Sequence, residues 1–373
     1  MKKIVVLGCT GSIGTSTLNI VRNMPEDFCI SGLSANTNEK SLSALAQEFG
    51  CASTLTAKDG TDGIKRLIDE TQPDVIVNGI SGAAGLLPSK IAAESGITLA
   101  LANKETVVMA WHLIKQTAEK HGSAIIPVDS EHSAVFSLIN QAGMSNVSEI
   151  VITASGGPFR TLSSGELENV TVEQALSHPT WKMGRKITVD SATLANKGLE
   201  VIEAARLFEM PSEKIKVVVH PQSIIHSLVR TNDGMLYAQL SEPDMQHPIF
   251  SALTWPENKA GHLQPFDLFD KTLTFFHPRT KDFPLLEYAF EAARNGKSYS
   301  IAYNAANEIA VNAFLDKKIG FTAISRIVRT VLDKDWTLLP ASFDDVFAQD
   351  EKARKKSDAA YQVRKAARKA FRR

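Results

Sequence analysis

Two carboxylates stand two positions apart in the stretch DSEHSA (129–134), directly after the apolar run AIIPV. In an extended segment the side chains of Asp129 and Glu131 would point the same way. Carboxylate oxygens are ligands that Mg²⁺ and Mn²⁺ prefer, and a site with open positions can also bind substrate oxygens. The same acids can instead begin a helix over HSAVFSLINQAG, with Asp129 as its cap. The pair alone leaves both interpretations open.

A third acid, Glu200, lies in VDSATLANKGLEVIEAARLF after Ser191, Asn196 and Lys197. Those three residues offer hydroxyl, amide and ammonium donors suited to a phosphate or a hydroxyl group. On a helix, Asn196 and Lys197 share a face with Glu200, because they precede it by four and three positions. Glu200 is therefore either a third metal ligand or one half of a surface ion pair with Lys197. Such a surface pair would stabilise the helix by roughly a few tenths of a kcal/mol.

Three further motifs carry side chains suited to binding. LANKE (101–105) places Lys104 at the carboxyl end of a predicted strand, where ligands of parallel sheets bind, although a lysine there can also be the solvated first turn of a helix. TASGGPFR (153–160) joins Ser155 to a glycine loop suited to an anion. HPTWKMG (178–184) lacks periodicity, which favours a mobile lid over a purely structural loop.

A glycine loop, GCTGSIG, follows the first predicted strand and precedes a helix that should begin near Ile13. Its G-x-x-G-x-x-G spacing differs from the usual dinucleotide fingerprint, but its position favours phosphate binding at the helix N-terminus. The alternative is an ordinary turn in which Ser12 caps the helix. After the second strand the chain reads SANTNEK without an acid at the strand end. Asn36, Thr37 and Asn38 can donate to a phosphate, with Lys40 nearby, which favours NADP over NAD.

Short β-rich runs alternate with helical patterns through the first third of the chain: KIVVLG, CISGLSA, STLTA, DVIVNGI, ITLALA and AIIPV. This alternation predicts an α/β fold with a Rossmann-like, doubly wound parallel sheet. A central α+β region and a helical C-terminal region should follow. We predict a cofactor-binding domain at 1–129, a catalytic domain at 130–254 with a lid at about 177–186, a linker at 255–281 and a helical domain at 282–373.

Composition limits the classes of partner. The 373 residues include 41 basic and 41 acidic side chains, so no net field attracts nucleic acid or an anionic membrane. The three scattered cysteines indicate neither a disulfide framework nor a thiolate zinc site. No run approaches the roughly 18 apolar residues of a membrane span. We expect a cytoplasmic protein with a small-molecule substrate, and we interpret the basic C-terminus as a solvated helix face, not an RNA-binding tail.

Taken in order, these motifs resemble 1-deoxy-D-xylulose 5-phosphate reductoisomerases, enzymes of the non-mevalonate isoprenoid pathway. The resemblance extends from near residue 1 to past residue 310 and is looser beyond it. It rests on ten stretches: GCTGSIGTSTL, GAAGLLP, LANKE, PVDSEHSA, SGGPFR, HPTWKMGRKITVDSAT, NKGLE, HPQSIIHS, EPDM and NAANEIAV. Relatives often carry Gly-Lys-Asn where this chain has Asn36-Thr37-Asn38, which removes a lysine that would face the 2′-phosphate.

The resemblance implies roles for individual residues. The metal ligands are Asp129, Glu131 and Glu200, and with Lys104 these form the catalytic set. The substrate-binding residues are Lys104, Ser130, Glu131, Ser155, His178, Trp181, Ser191, Asn196, Lys197 and Glu200, with Trp181 and Met183 on the lid. Those at the phosphate end of the substrate are Ser155, His178, Ser191, Asn196 and Lys197. The cofactor-binding residues are Thr10, Gly11, Ser12, Ile13, Asn103, Glu105 and Gly184, to which the strand-end argument adds Asn36 and Asn38.

The implied activity is a metal-dependent retro-aldol and aldol isomerisation of 1-deoxy-D-xylulose 5-phosphate, followed by reduction with NADPH to 2-C-methyl-D-erythritol 4-phosphate. The cofactors are NADPH and Mn²⁺ or Mg²⁺, and the protein is expected to be a homodimer. One alternative is a metal-independent NAD(P)-dependent dehydrogenase of another small phosphorylated substrate, in which the acids only cap a helix. Chelation separates the two. A second alternative is a non-enzymatic nucleotide-sensing module.

Overall fold

The computed structural model describes the backbone of residues 1–371 and the side chains of residues 1–362. Over these residues the chain forms ten strands, fourteen α-helices and four short 3₁₀ helices. The strands are β1 (Lys2–Leu7), β2 (Phe28–Ala35), β3 (Ala52–Leu55), β4 (Val75–Asn78), β5 (Thr98–Leu101), β6 (Ile125–Pro127), β7 (Val147–Ala154), β8 (Ile215–Val219), β9 (Ile225–Thr231) and β10 (Leu236–Leu240).

The helices lie between and after these strands. They are α1 (Ser12–Asn23), α2 (Glu39–Phe49), α3 (Thr56–Thr71), α4 (Leu86–Glu94), α5 (Lys104–His121), α6 (Ser130–Ala142), α7 (Val172–Ala175), α8 (Arg185–Ala192), α9 (Ala195–Leu207), α10 (Gln246–Thr254), α11 (Leu285–Asn295), α12 (Tyr299–Leu315), α13 (Ala323–Leu332) and α14 (Phe343–Phe371). Among residues 1–371, none of these helices is both long and apolar enough to cross a membrane.

The first compact unit comprises residues 1–144 and 239–269. Its sheet has the strand order β3-β2-β1-β4-β5-β6, and its strand pairs are parallel. Every residue of β4 is buried, as expected for a strand covered by helices on both faces. The chain returns to this unit through α10, where Ile249 and Leu253 join the core, each contributing about 1.5–3 kcal/mol of burial free energy. The predicted doubly wound parallel sheet is confirmed.

Local boundaries differ from the sequence expectation at two points. The predicted strand STLTA ends at Leu55, because Thr56 already begins α3. Helix α1 begins at Ser12 with Gly11 at the N-cap, so the alternative in which Ser12 caps this helix is wrong. Glycine has no side chain with which to cap the helix, and the N-terminus of α1 therefore presents its backbone N–H groups to a ligand.

The second compact unit comprises residues 145–238 and 270–373. Its sheet has the order β10-β9-β7-β8, in which β7 pairs parallel to β8 and antiparallel to β9. The backbones of Val219 and Phe276 exchange two hydrogen bonds of 2.9 and 2.8 Å, which covers the outer edge of β8. Strand β10 forms the opposite edge, and Met235, Leu236 and Tyr237 are exposed there. Helix α9 packs against α11, and α12 packs against α13 and α14.

Apart from the bridge at Phe276, residues 255–284 of the described chain carry neither helix nor strand, and helices occupy the chain from Leu285 onward. The boundaries of the two compact units differ from those of the four functional segments expected from the sequence. The functional segments stay a prediction. The basic C-terminal run lies on α14, and its side chains from residue 363 onward are outside the described residues.

Candidate active site

The glycine loop after β1 has a backbone that only glycine accommodates. Gly8 adopts a φ of +81°, and a Cβ there would lie 3.1 Å from the carbonyl carbon of Gly79. A Cβ on Gly14 would lie 2.5 Å from the Cα of Cys9, so α1 packs directly against the loop that precedes it. The loop therefore allows the close approach of a ligand to the backbone and to the positive end of α1.

A cleft of about 400 Å³ opens beside this loop, along the carboxyl ends of β1, β2 and β4. Its lining includes Thr10, Gly11 and Asn36 from the predicted cofactor set. The other lining residues are Gly8, Ser34, Ala35, Thr56, Gly60, Thr61, Ile64, Gly79, Ile80, Ser81, Ala84 and Pro88. A narrow cleft with hydroxyl and amide groups at the switch point of a doubly wound sheet fits a dinucleotide.

The remaining predicted cofactor residues of the first unit are not among those that line this cleft. Ser12 and Ile13 begin α1, and the side chain of Ile13 lies against Gly79. Asn38 is also absent from the lining of the cleft. Its side-chain oxygen instead caps α2 by accepting from the Ser41 N–H at 3.2 Å.

Asn103 and Glu105 are buried and shape the cleft wall. The Asn103 amide donates to the carbonyl oxygens of Ile80 and Gly82 at 2.8 and 2.9 Å, which fixes the loop after β4. It also donates to Glu105 at 2.9 Å. Direct contact of either residue with a cofactor stays a prediction, as it does for Ser12, Ile13 and Asn38.

Asp129 and Glu131 meet at the start of a helix. Asp129 is the N-cap of α6, and its carboxylate accepts from the Glu131 N–H at 3.2 Å. The segment is not extended, because β6 ends at Pro127 and α6 begins at Ser130, but the two carboxylates still present oxygens within 4.8 Å of each other, as expected. The capping expectation is confirmed, and capping leaves carboxylate oxygens that can also bind a cation.

Two groups hold the Asp129 carboxylate in place. Lys104, the first residue of α5, donates from its ammonium group to Asp129 Oδ2. His132 Nδ1 lies 3.0 Å from Asp129 Oδ1. Burial alone would raise the pKa of Asp129, but the charge of Lys104 and the hydrogen bond from His132 outweigh it and hold that pKa well below its usual value. Lys104 is buried, so the solvated-lysine reading is wrong.

The first unit thus offers the hard oxygen donors that Mg²⁺ and Mn²⁺ prefer, namely Asp129 and Glu131. Glu131 also accepts from the Ser130 hydroxyl at 2.6 Å. Sequence reasoning missed His132, although its position three residues after Asp129 in a helical pattern could have indicated the contact.

In the second unit, Ser155, His178 and Ser191 converge. The Nε2 atom of His178 lies 3.0 Å from Ser155 Oγ and 3.1 Å from Ser191 Oγ. The Nδ1 atom of His178 accepts from the backbone N–H groups of Thr180 and Trp181 at 3.1 and 2.9 Å. Because Nδ1 accepts, the neutral ring carries its proton on Nε2 and can donate toward the two serines. Burial lowers the pKa of His178, which favours this neutral form.

The cluster has the donors that a phosphate needs. The glycine loop after β7 adds Gly157, whose N–H donates to Ser155 Oγ at 3.2 Å. A Cβ on Gly157 would lie 2.7 Å from the carbonyl oxygen of Ser191, so glycine allows the loop to contact α8. The family resemblance groups these three side chains at the phosphate end of the substrate, and the structure brings both serines within hydrogen-bond distance of His178.

The predicted lid is irregular in structure. Residues 177–184 form neither helix nor strand, and Gly184 is the N-cap of α8. The Trp181 ring centre lies 6.3 Å from that of His226 on β9, at an angle of 55°. Closure of this segment, and contact of Gly184 with a cofactor, stay predictions.

Asp190, which sequence reasoning also missed, anchors α8. It pairs with Lys186 at 2.9 Å and accepts from Asn307 of α12 at 2.8 Å. The NAANEIAV motif contains Asn307, so the motif was visible in the sequence, but its buried partner was not. The contact fixes the helix that carries Ser191.

Glu200 lies within α9 and is 1% exposed. Lys197 and Asn196 both donate to its carboxylate, Asn196 at 2.5 Å. The alternative of a surface ion pair is therefore wrong, because both partners are buried. Between them in the chain lies Gly198, where a Cβ would lie 2.6 Å from Tyr303 Oη and 2.7 Å from Ala289. Glycine at this position allows α9 to pack closely against α11 and α12.

Comparison with known proteins gives one consistent family. The model of 1-deoxy-D-xylulose 5-phosphate reductoisomerase matches residues 4–59 and 52–111, that of its C-terminal domain matches 125–208, and that of the DXP reductoisomerase C-terminal domain matches 240–356. The 1-deoxy-D-xylulose 5-phosphate reductoisomerase of Treponema denticola is 49% identical over 363 residues, or 95% of each chain. That of Treponema pallidum is 48% identical over 95% of this chain and 96% of its own.

Solved structures agree. A crystal structure of DOX-P reductoisomerase in complex with NADPH, fosmidomycin and magnesium has a TM-score of 0.90 at 38% identity, covering 98% of this chain and 99% of its own. The 1-deoxy-D-xylulose 5-phosphate reductoisomerase from Zymomonas mobilis, in complex with NADPH, has a TM-score of 0.87 at 39% identity, covering 96% and 99%.

Proposed function

Because this chain belongs to the 1-deoxy-D-xylulose 5-phosphate reductoisomerase family, we propose which of its residues carry out that family's reaction. The protein is an NADPH-dependent and metal-dependent oxidoreductase of isoprenoid biosynthesis. It converts 1-deoxy-D-xylulose 5-phosphate, a sugar phosphate, to 2-C-methyl-D-erythritol 4-phosphate. The family, fold class, cofactors and reaction predicted from the sequence are thereby confirmed.

Asp129, Glu131 and Glu200 are the proposed metal ligands. The support is their chemistry: two carboxylates share the first turn of α6, and a third is held buried on α9 by two donors. A bound divalent cation supplies positive charge where substrate oxygens become negative. Lys104 and His132 orient Asp129 for this role, and Lys104 adds a second positive charge at the same edge of the sheet.

Ser155, His178 and Ser191 are proposed to bind the substrate phosphate, with Asn196 and Lys197 nearby in the chain. His178 donates from Nε2 because its Nδ1 is occupied by backbone N–H groups. Binding the unreactive phosphate holds the reacting carbons in position, and Trp181 and Met183 would exclude water. NADPH supplies hydride, and we propose that the cleft beside Gly8 and Gly11 binds it.

A homodimer in the cytoplasm is the proposed setting. Strand β10 is an open sheet edge with exposed apolar side chains, with Met235 58% and Tyr237 49% exposed. Such an edge favours pairing with a second copy. Three free thiols are compatible with a reducing compartment. Sedimentation velocity should give a dimer that Tyr237→Lys weakens, and a monomeric native protein would contradict the assembly.

One observation carries the residue assignment: the acid pair and Lys104 lie at the carboxyl edge of the sheet that also bears the cofactor cleft. The test is NADPH oxidation on adding 1-deoxy-D-xylulose 5-phosphate to chelator-treated enzyme, with and without Mn²⁺. Adding Mn²⁺ should restore the turnover of the chelator-treated native protein. It should not restore turnover of Glu131→Gln, whereas Glu119→Gln, at an exposed position, should recover like the native protein. Turnover that persists with EDTA would support the metal-independent dehydrogenase instead.

A further inference from the structure

The cofactor cleft lacks a charged side chain in its own wall. In dinucleotide folds the end of the second strand reads the ribose 2′ position, where an acid suits NAD and a basic group suits NADP. Here β2 ends at Ala35, and the next residue, Asn36, lines the cleft. Every lining residue of the cleft, as described, is uncharged. Neutral donors can bind a phosphate but do not compensate its charge, so a cation must come from the rim.

Lys58 belongs to the rim segment that is tied to this strand end. The Thr56 hydroxyl donates to Ala35 O and to Asn36 Oδ1, each at 3.3 Å. The N–H of Ala57 donates to Asn36 O at 3.1 Å. Thr56 and Ala57, the residues directly before Lys58, are therefore hydrogen-bonded to the end of β2. This keeps the backbone of Lys58 close to Asn36.

The ammonium group of Lys58 is held by an exchangeable partner. It lies 2.8 Å from Glu39 of α2, and the two side chains are 62% and 61% exposed. An ion pair this exposed is weak. A phosphate dianion with three acceptor oxygens is the stronger partner for an ammonium group.

The neighbouring acid, Asp59, attracts Lys58 through its charge but is itself hydrogen-bonded elsewhere. The Asp59 carboxylate accepts from the Thr54 hydroxyl at 2.8 Å and from the Leu55 N–H at 3.1 Å, so it faces β3. Glu39, which is hydrogen-bonded to Lys58, is therefore the stronger of the two acids that oppose a phosphate at this rim.

We propose that Lys58 recognises the 2′-phosphate of NADPH, with the Asn36 amide and the Thr56 hydroxyl as neutral donors, and that Glu39 sets the strength of this recognition by competing for the lysine. This role rests on the assignment of the cleft to NADPH. It makes Lys58 and Glu39 the residues that determine the preference for NADPH over NADH.

The test is calorimetric binding of adenosine 2′,5′-bisphosphate and of AMP, which differ only in the 2′-phosphate. Lys58→Ala should weaken binding of the bisphosphate about tenfold, the effect of one charged hydrogen bond, and leave AMP binding nearly unchanged. The KM for NADPH should rise by a similar factor while the KM for NADH stays constant. Glu39→Gln should act in the opposite direction and tighten bisphosphate binding about twofold to threefold.

Two matched lysines control for charge alone. Lys65→Ala removes a charge from the same helix, and Lys40→Ala removes the lysine next to Glu39; neither should reproduce the selective loss. The proposal is overturned if Lys40→Ala gives that loss, or if Lys58→Ala weakens AMP and bisphosphate equally at an unchanged melting temperature. Failure of the native protein to bind NADPH would instead refute the cofactor site itself.

Discussion

Two lysine–glutamate pairs, each within one helix, differ mainly in their exposure to water. Lys197 and Glu200 of α9 are 5% and 1% exposed, whereas Lys90 and Glu94 of α4, 2.7 Å apart, are 32% and 41% exposed. Removing one partner of a buried pair leaves an uncompensated charge, which costs about 3–5 kcal/mol, whereas an exposed pair is worth about 0–1 kcal/mol. The comparison indicates that α9 holds the Glu200 carboxylate in one fixed orientation, as a metal ligand requires.

The largest difference should appear in turnover. Glu200→Gln removes the charge of a proposed metal ligand while keeping its shape, so kcat should fall about 10²–10³-fold. Glu94→Gln changes the exposed pair in the same way and should leave kcat unchanged. Steady-state kinetics at saturating Mg²⁺ measure both, with NADPH affinity as a check on folding. Equal turnover in the two variants would remove Glu200 from the site.

The tryptophans extend the comparison from charge to packing. Trp336 is fully buried and donates to Val331 O at 2.8 Å, so Trp336→Ala should cost about 3–5 kcal/mol of unfolding free energy. Trp181 is only partly buried on the predicted lid, so Trp181→Ala should lower activity far more than stability. Thermal melts and steady-state rates separate the two effects. If Trp181→Ala lowered stability as much as activity, Trp181 would be a structural residue.

The stability of the two pairs gives a sharper test of burial. Lys197→Met leaves Glu200 buried without its cationic partner, and we expect a loss of about 3 kcal/mol, partly offset by the Asn196 donor. Lys90→Met should cost less than about 1 kcal/mol. Denaturant titration of both variants measures the difference. If Lys197→Met and Lys90→Met lowered the denaturation midpoint equally, the Lys197–Glu200 pair would contribute no more to stability than an exposed pair.

The smallest effect concerns the half-buried His178. Burial lowers the pKa of His178, so this side chain binds a proton less readily in the folded protein than in the unfolded chain. An unfolded histidine titrates at about pH 6.5. His178 therefore costs stability as the pH falls from about 6.5 toward its lower folded pKa. Relative to the native protein, His178→Gln should gain stability in that window, by at most about 1.4 kcal/mol per pH unit. Parallel pH profiles of unfolding would contradict this.

Features set by local pattern were predictable from the sequence. The parallel, doubly wound sheet followed from the alternation of strands and helices, although its strand order did not, and the phosphate-binding character of the glycine loop was inferred from its place after β1. The capping role of Asp129 was predictable because an acid stood before a helical pattern.

Features set by tertiary contact were not predictable from the sequence. Lys197 and Glu200 were compatible with a surface pair, because the spacing of two residues on a helix does not reveal which face of that helix is buried in the folded chain. The extended expectation for Asp129 and Glu131 failed because a two-residue spacing cannot distinguish a strand end from a helix start. His132 and Asp190 were missed because each acts through a second residue of the site.

The most direct measurement is the anomalous difference map of a crystal grown with Mn²⁺. We expect a single strong manganese peak bound by carboxylate oxygens of Asp129, Glu131 and Glu200. A peak bound by other side chains, or one that Glu200 does not contact, would contradict the assignment of these three residues as the metal ligands.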